Sequence, residues 1–382
     1  MELQVVLKML FIVLVIMAAF LPLITWVERK QSAVMQDRIG ANRAHVLGIT
    51  ALGLLHPAAD VLKLLTKEDV VPAGANRWIH QLAPVIALVP AIITLAVIPY
   101  GGAYQMDGWV LNLVVSDIDW GMLYVFAVGS LATYGAVMAG WASNSNWGLL
   151  GSMRASAQMI SYEVTMGLSL VGLFMVFNTL RLTEIAQAQD ATFRVFGFLE
   201  HVFGIGVPGL LGWITLPNWG LFLQPLGFIL FLTCIMAENK RPPFDAPEGE
   251  SELVAGYHME YSGMRFGLFY TAEFLEVPVI GMIVTTLFLG GWSIPWVSQS
   301  AIIGGLTPAL GVTLATVLCM ALHVVSFLLK VIIMIWLQMA IRWTLPRFRY
   351  DQVMDLCWKM ILPISIANAF VTGGVILLLE RA

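Results

Sequence analysis

Six carboxylates fall between Ala237 and Gly263: Glu238, Asp245, Glu248, Glu250, Glu252 and Glu260, with only Lys240 and Arg241 as strong bases among them. Charged residues make up just 12% of the whole chain. Closely spaced carboxylates with few cations share protons and titrate as a coupled set over a broad pH range. That property suits a proton relay. It suits a divalent-cation site less well, because no EF-hand spacing is present to build an oxygen cage. A solvated acidic loop is the bland reading, and Phe244, Leu253, Val254, Tyr257, Met259 and Tyr261 count against it because they need something to pack on. Pro242 and Pro243 predict an extended stretch, and Asp245-Ala-Pro-Glu248 predicts a helix start with Asp245 as N-cap and Glu248 reaching back. Glu248, Glu252 and Glu260 would then trend along one side of that helix, with Glu250 on the other.

Further ionisable groups stand in apolar surroundings. Arg154, Gln158, Ser161, Tyr162, Thr165 and Ser169 form one stripe at helical spacing, and Glu163 falls on the opposite face from Arg154. Such a stripe predicts contact with other helices or a wet cavity, and an intramembrane carboxylate is by default functional. Glu273 and Glu276, three apart, are neighbours on one helix face and cannot both ionise cheaply in low dielectric. Lys330 is a candidate counter-charge for one of the buried acids. Nearer the start, VERKQSAVMQDRIGANRA carries Glu28, Arg29, Lys30, Asp37, Arg38 and Arg43. Downstream, His56, Asp60, Lys63 and Lys67 recur on one side of a short helix, about 51–67, whose other side is Leu54, Leu55, Ala58, Val61, Leu62 and Leu65. That division predicts a helix lying in the membrane interface, either a plain anchor or the wall of a portal for a lipophilic molecule.

The elements that hold these groups are membrane spans. With 382 residues, 59% hydrophobic, and a mean hydropathy of +0.83, the chain reads as an all-α polytopic membrane protein. Eight spans are predicted, at about 3–27, 82–101, 121–142, 157–180, 219–237, 264–292, 310–341 and 357–380, in a single membrane domain covering 1–382. The first ends in Glu28-Arg29-Lys30 without a small-residue cleavage site, so it reads as a retained helix. Of the 20 Lys and Arg residues, 15 fall in the loops after spans 1, 3, 5 and 7. The positive-inside rule makes those loops cytoplasmic and puts both termini outside.

Other classes are unsupported. The three cysteines, Cys234, Cys319 and Cys357, form no CxxC pair, the six histidines are scattered, and neither a Walker loop nor a GxGxxG follows a strand. The chain is therefore expected to bind no metal, nucleotide or nucleic acid and to carry no redox centre of its own. No internal or inverted repeat is found. The loop from Arg181 to about Asn218 is long, and its apolar stretch from Val195 to Ile214 is expected to lie along the surface.

The segments VERK, QDRIGANR, HPAADVLKLLTKED, GWASNSNWGLLGSMRASAQMISYEV and AENKRPPFDAPEGESELVAGYHMEYSGMRFGLFYTAEF together resemble the quinone-site membrane subunit of respiratory complex I, the proton-pumping NADH:quinone oxidoreductase. The resemblance runs from span 1 through span 6 in the family's order. It implies eight spans in a bacterial inner membrane, an interfacial helix, an acidic cytoplasmic loop, and quinone as substrate. FMN and iron–sulfur clusters are then expected in partner subunits, with peripheral-arm and antiporter-like membrane subunits as neighbours. Glu28, Arg29, Arg38, His56, Asp60 and Lys63 would shape the quinone portal and cavity. Glu163, Glu238, Arg241, Asp245, Glu248, Glu250, Glu252 and Glu260 would carry the charge path; Glu273, Glu276, Arg154 and Lys330 are further candidates on the reading of the residues alone. The family commonly has glutamine where this chain has His56 before Pro57, and the long fourth loop is a further departure. Alternatives are the related subunit of a membrane-bound hydrogenase or of a coenzyme F420-dependent dehydrogenase, and a stand-alone cation transporter.

Overall fold

A computed structural model describes residues 6, 8–10, 12, 15–16, 20–46, 48–106, 109–194 and 215–381. Helix dominates it. The principal helices are α1 (Leu21–Met35), α2 (His56–Thr66), α3 (Arg77–Thr94), α4 (Gly121–Gly129), α5 (Leu131–Ala142), α6 (Asn146–Phe177), α7 (Leu182–Ala188), α8 (Pro225–Glu238), α9 (Glu250–Leu253), α10 (Gly263–Phe288), α11 (Gln299–Leu310), α12 (Val312–Thr344), α13 (Tyr350–Asp355) and α14 (Leu362–Arg381). Two small antiparallel hairpins, Ala103–Met106 with Trp109–Asn112 and Thr192–Arg194 with Thr215–Pro217, are the paired strands among the described residues.

Six helical stretches among the described residues are long and apolar enough to cross a membrane: Arg77–Thr94, Gly121–Ala142, Asn146–Phe177, Gly263–Phe288, Val312–Thr344 and Tyr350–Leu379. Helix α8 is apolar but has only 14 residues. Helix α1 has 15, and most of the sequence ahead of it lies outside the described residues. The surface segment expected at 195–214 also lies outside them.

Helix α10 is the centre of the bundle. In its most apolar stretch 83% of residues are buried, against 17% in Tyr350–Leu379, so α10 packs on protein nearly all round and the last helix faces outward. Val277, Ile280, Val284 and Leu287 of α10 join Phe231 and Cys234 of α8, Leu170 of α6, and Phe327 and Val331 of α12 in one core. Pro278 interrupts α10's ladder. Nearby, Gln338 of α12 donates to the Val277 carbonyl at 3.2 Å.

Helix α6 begins at Asn146 instead of near 157, so much of the expected third inner loop is helical. Its polar stripe of Gln158, Ser161, Tyr162, Thr165 and Ser169 is buried. Tyr162 donates to the Val353 carbonyl at 2.8 Å, and Thr165 Oγ1 lies 3.4 Å from Cys234 Sγ. At Gly151 the backbones come close, since a Cβ there would sit 2.6 Å from Gly256 Cα. The helix and the acidic segment thus touch backbone to backbone.

Within that segment the expected helix from Asp245 does not form. Residues 246–248 form a turn, with the Pro242–Pro243 peptide cis, and α9 spans only Glu250–Leu253 before a single 3-10 turn at Gly256–His258. Glu248, Glu252 and Glu260 therefore do not share a helix face. A Cβ at Gly249, just ahead of α9, would collide with the Arg347 guanidinium, so the chain there packs directly against that side chain.

Candidate functional site

The acidic segment leaves the end of α8 and folds back between α1, α10 and α12, where a cavity of about 180 Å³ opens. Lys240, Asp245, Glu248, Tyr257, His258, Tyr270, Glu273 and Arg342 line it. Arg241 lies deep beside it. Its Nε donates to Glu273 Oε1 at 2.8 Å, its Nη1 is 3.4 Å from Glu28 Oε2, and its guanidinium carbon stands 4.2 Å from the Phe274 ring centroid. Arg342 pairs with the other oxygen of Glu28. Four elements are thus tied by one buried ion-pair network. Such networks are costly to desolvate and costlier to break singly, because the survivor is left uncompensated.

Glu248 accepts from the Tyr257 hydroxyl at 2.8 Å, and His258 Nδ1 lies 3.8 Å from the same oxygen. Burial, then the neighbouring Glu273, push the Glu248 carboxyl above its usual range. Burial and then Glu248 push Asp245 up to about 7, against the pull of Arg347 and Arg342. Tyr257 is pushed up as well, by burial and then by Glu248. The three groups thus lie close enough for Asp245 and Tyr257 each to feel the charge of Glu248.

A second cavity, of about 90 Å³, lies deeper along α10. Its lining is mostly apolar, including Pro90, Met122, Phe126, Met166, Ile235 and Ile280, yet Glu163, Glu238 and Glu276 all face it. Among the described residues, no Lys or Arg lines it. Glu238 Oε2 is buried without a hydrogen-bond partner among the described residues. The two cavities are adjoining. Glu273 lines the first and Glu276 the second, three residues apart on α10, while Lys240 and Glu238 divide between them in the same way. Three residues are about one helical turn, roughly 5 Å along the axis.

The remaining predicted residues sit elsewhere. Arg29 and Asp60 form a half-exposed pair at 2.5 Å between α1 and α2. His56 Nε2 accepts from the Ala44 amide at 3.2 Å, a role a glutamine carbonyl could also fill. Lys63 is exposed on α2, next to the bare Val61, Leu62 and Leu65. Arg38 is exposed and bonds Gln36 at 2.6 Å. Arg154 pairs with Glu252 at 2.7 Å on the surface of α6, and Glu260 lines neither cavity. The side chain of Glu250 lies outside what the structure describes.

Lys330 is not the counter-charge of an acid in either cavity. It lies toward the opposite end of α10 and donates to the carbonyls of Leu289, Gly291 and Ser293 at 2.7, 3.0 and 2.6 Å, its ammonium 4.7 Å from the Trp219 ring centroid. An ammonium at a helix C-terminus meets the orphan carbonyls and the negative end of the dipole. Sequence reasoning missed Arg342, Arg347, Tyr257 and His258 as site members. The signal was available in part: Arg342, Arg347 and Arg349 fall in a loop assigned to the same membrane side as the acidic segment.

These features define a polytopic helical membrane protein in which ionisable groups run from a polar end cavity to carboxylates at apolar depth. Among the described residues no group of three or more His, Cys, Asp and Glu could hold a metal ion. The family profile that matches, over residues 7–373, is that of NADH dehydrogenase. An NADH-quinone oxidoreductase H subunit of Geobacter metallireducens is 43% identical over 97% of this chain and 95% of its own length. The corresponding H subunits of Bdellovibrio bacteriovorus and Thermomicrobium roseum are 38% and 41% identical over 96% and 95% of this chain, covering 94% and 93% of theirs. The chain belongs to this family, the membrane-embedded H subunits of NADH-quinone oxidoreductase, or complex I.

Proposed function

We propose that this chain forms the quinone access and part of the quinone cavity of the complex, and passes the charge change of quinone reduction on as altered proton affinity. The observation that carries the reading is the adjoining pair of cavities, with Glu273 and Glu276 one turn apart on a single buried helix. On this reading Glu28, Arg29, Asp60 and Lys63, with the bare apolar face of α2, shape the side from which a lipophilic quinone arrives. Arg241, Asp245, Glu248 and Glu273 respond to charge at the polar cavity. Glu238, Glu276 and Glu163 relay the response at membrane depth, because a carboxylate without a resident cation answers a neighbour's charge by changing its own proton occupancy.

The finer arrangement belongs to the same proposal. The chain crosses a bacterial inner membrane eight times with both termini outside and the acidic segment cytoplasmic. Its partners are peripheral-arm subunits that carry FMN and iron–sulfur clusters, and antiporter-like membrane subunits that receive the protons. The test is to make Glu248→Gln and Glu238→Gln in the assembled enzyme and measure quinone reductase rate together with proton pumping. Loss of pumping in either supports the reading, and wild-type values of both in both variants remove these carboxylates from the path.

A further inference from the structure

Gln158 is fully buried on α6, between the two cavities' supporting elements, and it lines neither one. Its side-chain amide nitrogen makes two bonds, donating at 2.8 Å to the carbonyl of Ala237 and at 2.8 Å to the carbonyl of Phe244. Its Oε1 is buried with no partner among the described residues. Two N–H donors meet two carbonyl acceptors, so the amide is used as a donor only. The reverse orientation would set the amide oxygen against both carbonyls, acceptor on acceptor.

The two carbonyls bracket Glu238, Asn239, Lys240 and Arg241. Ala237 belongs to the last turn of α8, and the Phe244 amide itself donates to the Arg241 carbonyl at 2.8 Å. The Phe244 ring is held by Tyr162 at 5.7 Å and Phe348 at 5.7 Å, centroid to centroid, and the Phe348 amide donates to the Pro243 carbonyl at 3.0 Å. Fixing Phe244 therefore fixes the turn from which Arg241 reaches Glu273 and Glu28. No ionisable group makes this clasp. It is a neutral amide reaching across from α6, the same helix that brings Glu163 to the deeper cavity.

We propose that Gln158 is a positioning residue for charge transfer: it clasps the Ala237–Phe244 turn so that Glu238 faces the apolar cavity, Lys240 faces the charged one, and Arg241 beside it reaches Glu273 and Glu28. The proposal rests on the reading that these groups carry the coupling. A side chain acting only as filler could be replaced by one of equal shape. Methionine comes nearest to that, since it keeps a similar length and volume, is neutral and has no donor.

The experiment uses the assembled membrane complex with Gln158→Met, Arg241→Lys, and the two together, reading quinone reductase rate and proton pumping. Gln158→Met should lower the rate roughly ten-fold, as expected when two buried carbonyls lose their donors. Adding it to Arg241→Lys, which already loosens the arginine's grip, should cost little more, because two changes acting through one geometry are not additive. Gln158→Asn, which keeps the amide but withdraws it by one methylene, should fall between. Wild-type rates in Gln158→Met overturn the proposal, as does a defect of equal factor in the Arg241→Lys background. Failure of both Gln158→Met and Gln158→Asn to assemble also overturns it, by assigning the residue to folding alone. The carboxylate variants of the preceding section decide the underlying reading separately, so the two can fail independently.

Discussion

The two cavities are built from the same kind of acid and differ in what surrounds it. In the charged cavity every described carboxylate has a partner or a nearby cation: Glu273 and Glu28 hold Arg241, Glu28 also holds Arg342, Glu248 holds Tyr257, and Asp245 feels Arg347. In the deeper cavity Glu163, Glu238 and Glu276 share a mostly apolar lining with no basic side chain among the described residues, and the charge of Lys240 reaches Glu238 and Glu276 only from the neighbouring cavity. Paired charges fix geometry, and unpaired ones respond to their surroundings by exchanging protons. On the proposed reading, the first cavity senses charge through groups held in place by their partners and the second relays the response, with α10 as the element common to both.

The largest expected effect comes from Arg241→Met, which leaves Glu273 without its cation and the buried Glu28 with Arg342 alone. Removing one partner from such a network costs about 3–5 kcal/mol. The assembled complex should lose thermal stability and nearly all quinone reductase activity. A variant as stable as wild type would show that this cavity does not depend on compensation, and would erase the contrast. Next in size is Glu276→Gln, which removes an acid of the apolar cavity and leaves the packing in place. Proton pumping should fall roughly 10²-fold, the scale of losing a positioned proton-transfer group, with thermal stability unchanged. Lost stability with intact pumping would reverse the assignment of roles.

Asp245 sharpens the comparison through pH. Its carboxyl is pushed up to about 7 by burial, so the folded protein binds its proton more tightly than the unfolded chain does. For a carboxyl raised in this way, stability falls as pH rises from the ordinary carboxylate range, about 4, through about 7. Asp245→Asn should flatten that decline and remove one limb near pH 7 from the profile of quinone reductase rate. An unaltered profile would take Asp245 out of the coupled set. The smallest effect is expected at the rim, where Arg29 and Asp60 pair while each remains partly exposed. Asp60→Asn should change stability by about 1 kcal/mol or less. It should raise the KM for quinone a few-fold without altering the ratio of protons pumped to electrons. A changed ratio would extend the responding region out to α2.

How much of this was legible depended on how local the cause was. The polar stripe on α6 follows from spacing alone, and Glu273 and Glu276 follow as helix neighbours from their separation of three. That those neighbours would fall in different cavities did not follow, because helix periodicity fixes direction relative to the axis and not what packs there. The helix expected at Asp245 was misread for a related reason. Capping residues announce a start, but Arg347 occupies the space beside Gly249 and Gly256 abuts Gly151, so distant parts of the chain override a local preference. For Lys330 the sequence shows a buried cation and leaves its partners open; the three carbonyls at the end of α10 that meet it are a matter of packing.

By itself the sequence determined the membrane class, the helical character, the family, and the segment in which acidity is concentrated, since composition, hydropathy and motif are properties of the chain read in order. Only the tertiary structure decided which acids are compensated and which are not. Compensation depends on distances of a few ångströms between groups as far apart in sequence as Glu28 and Arg342. Those distances exist only once α1, α10, α12 and the acidic segment have packed together.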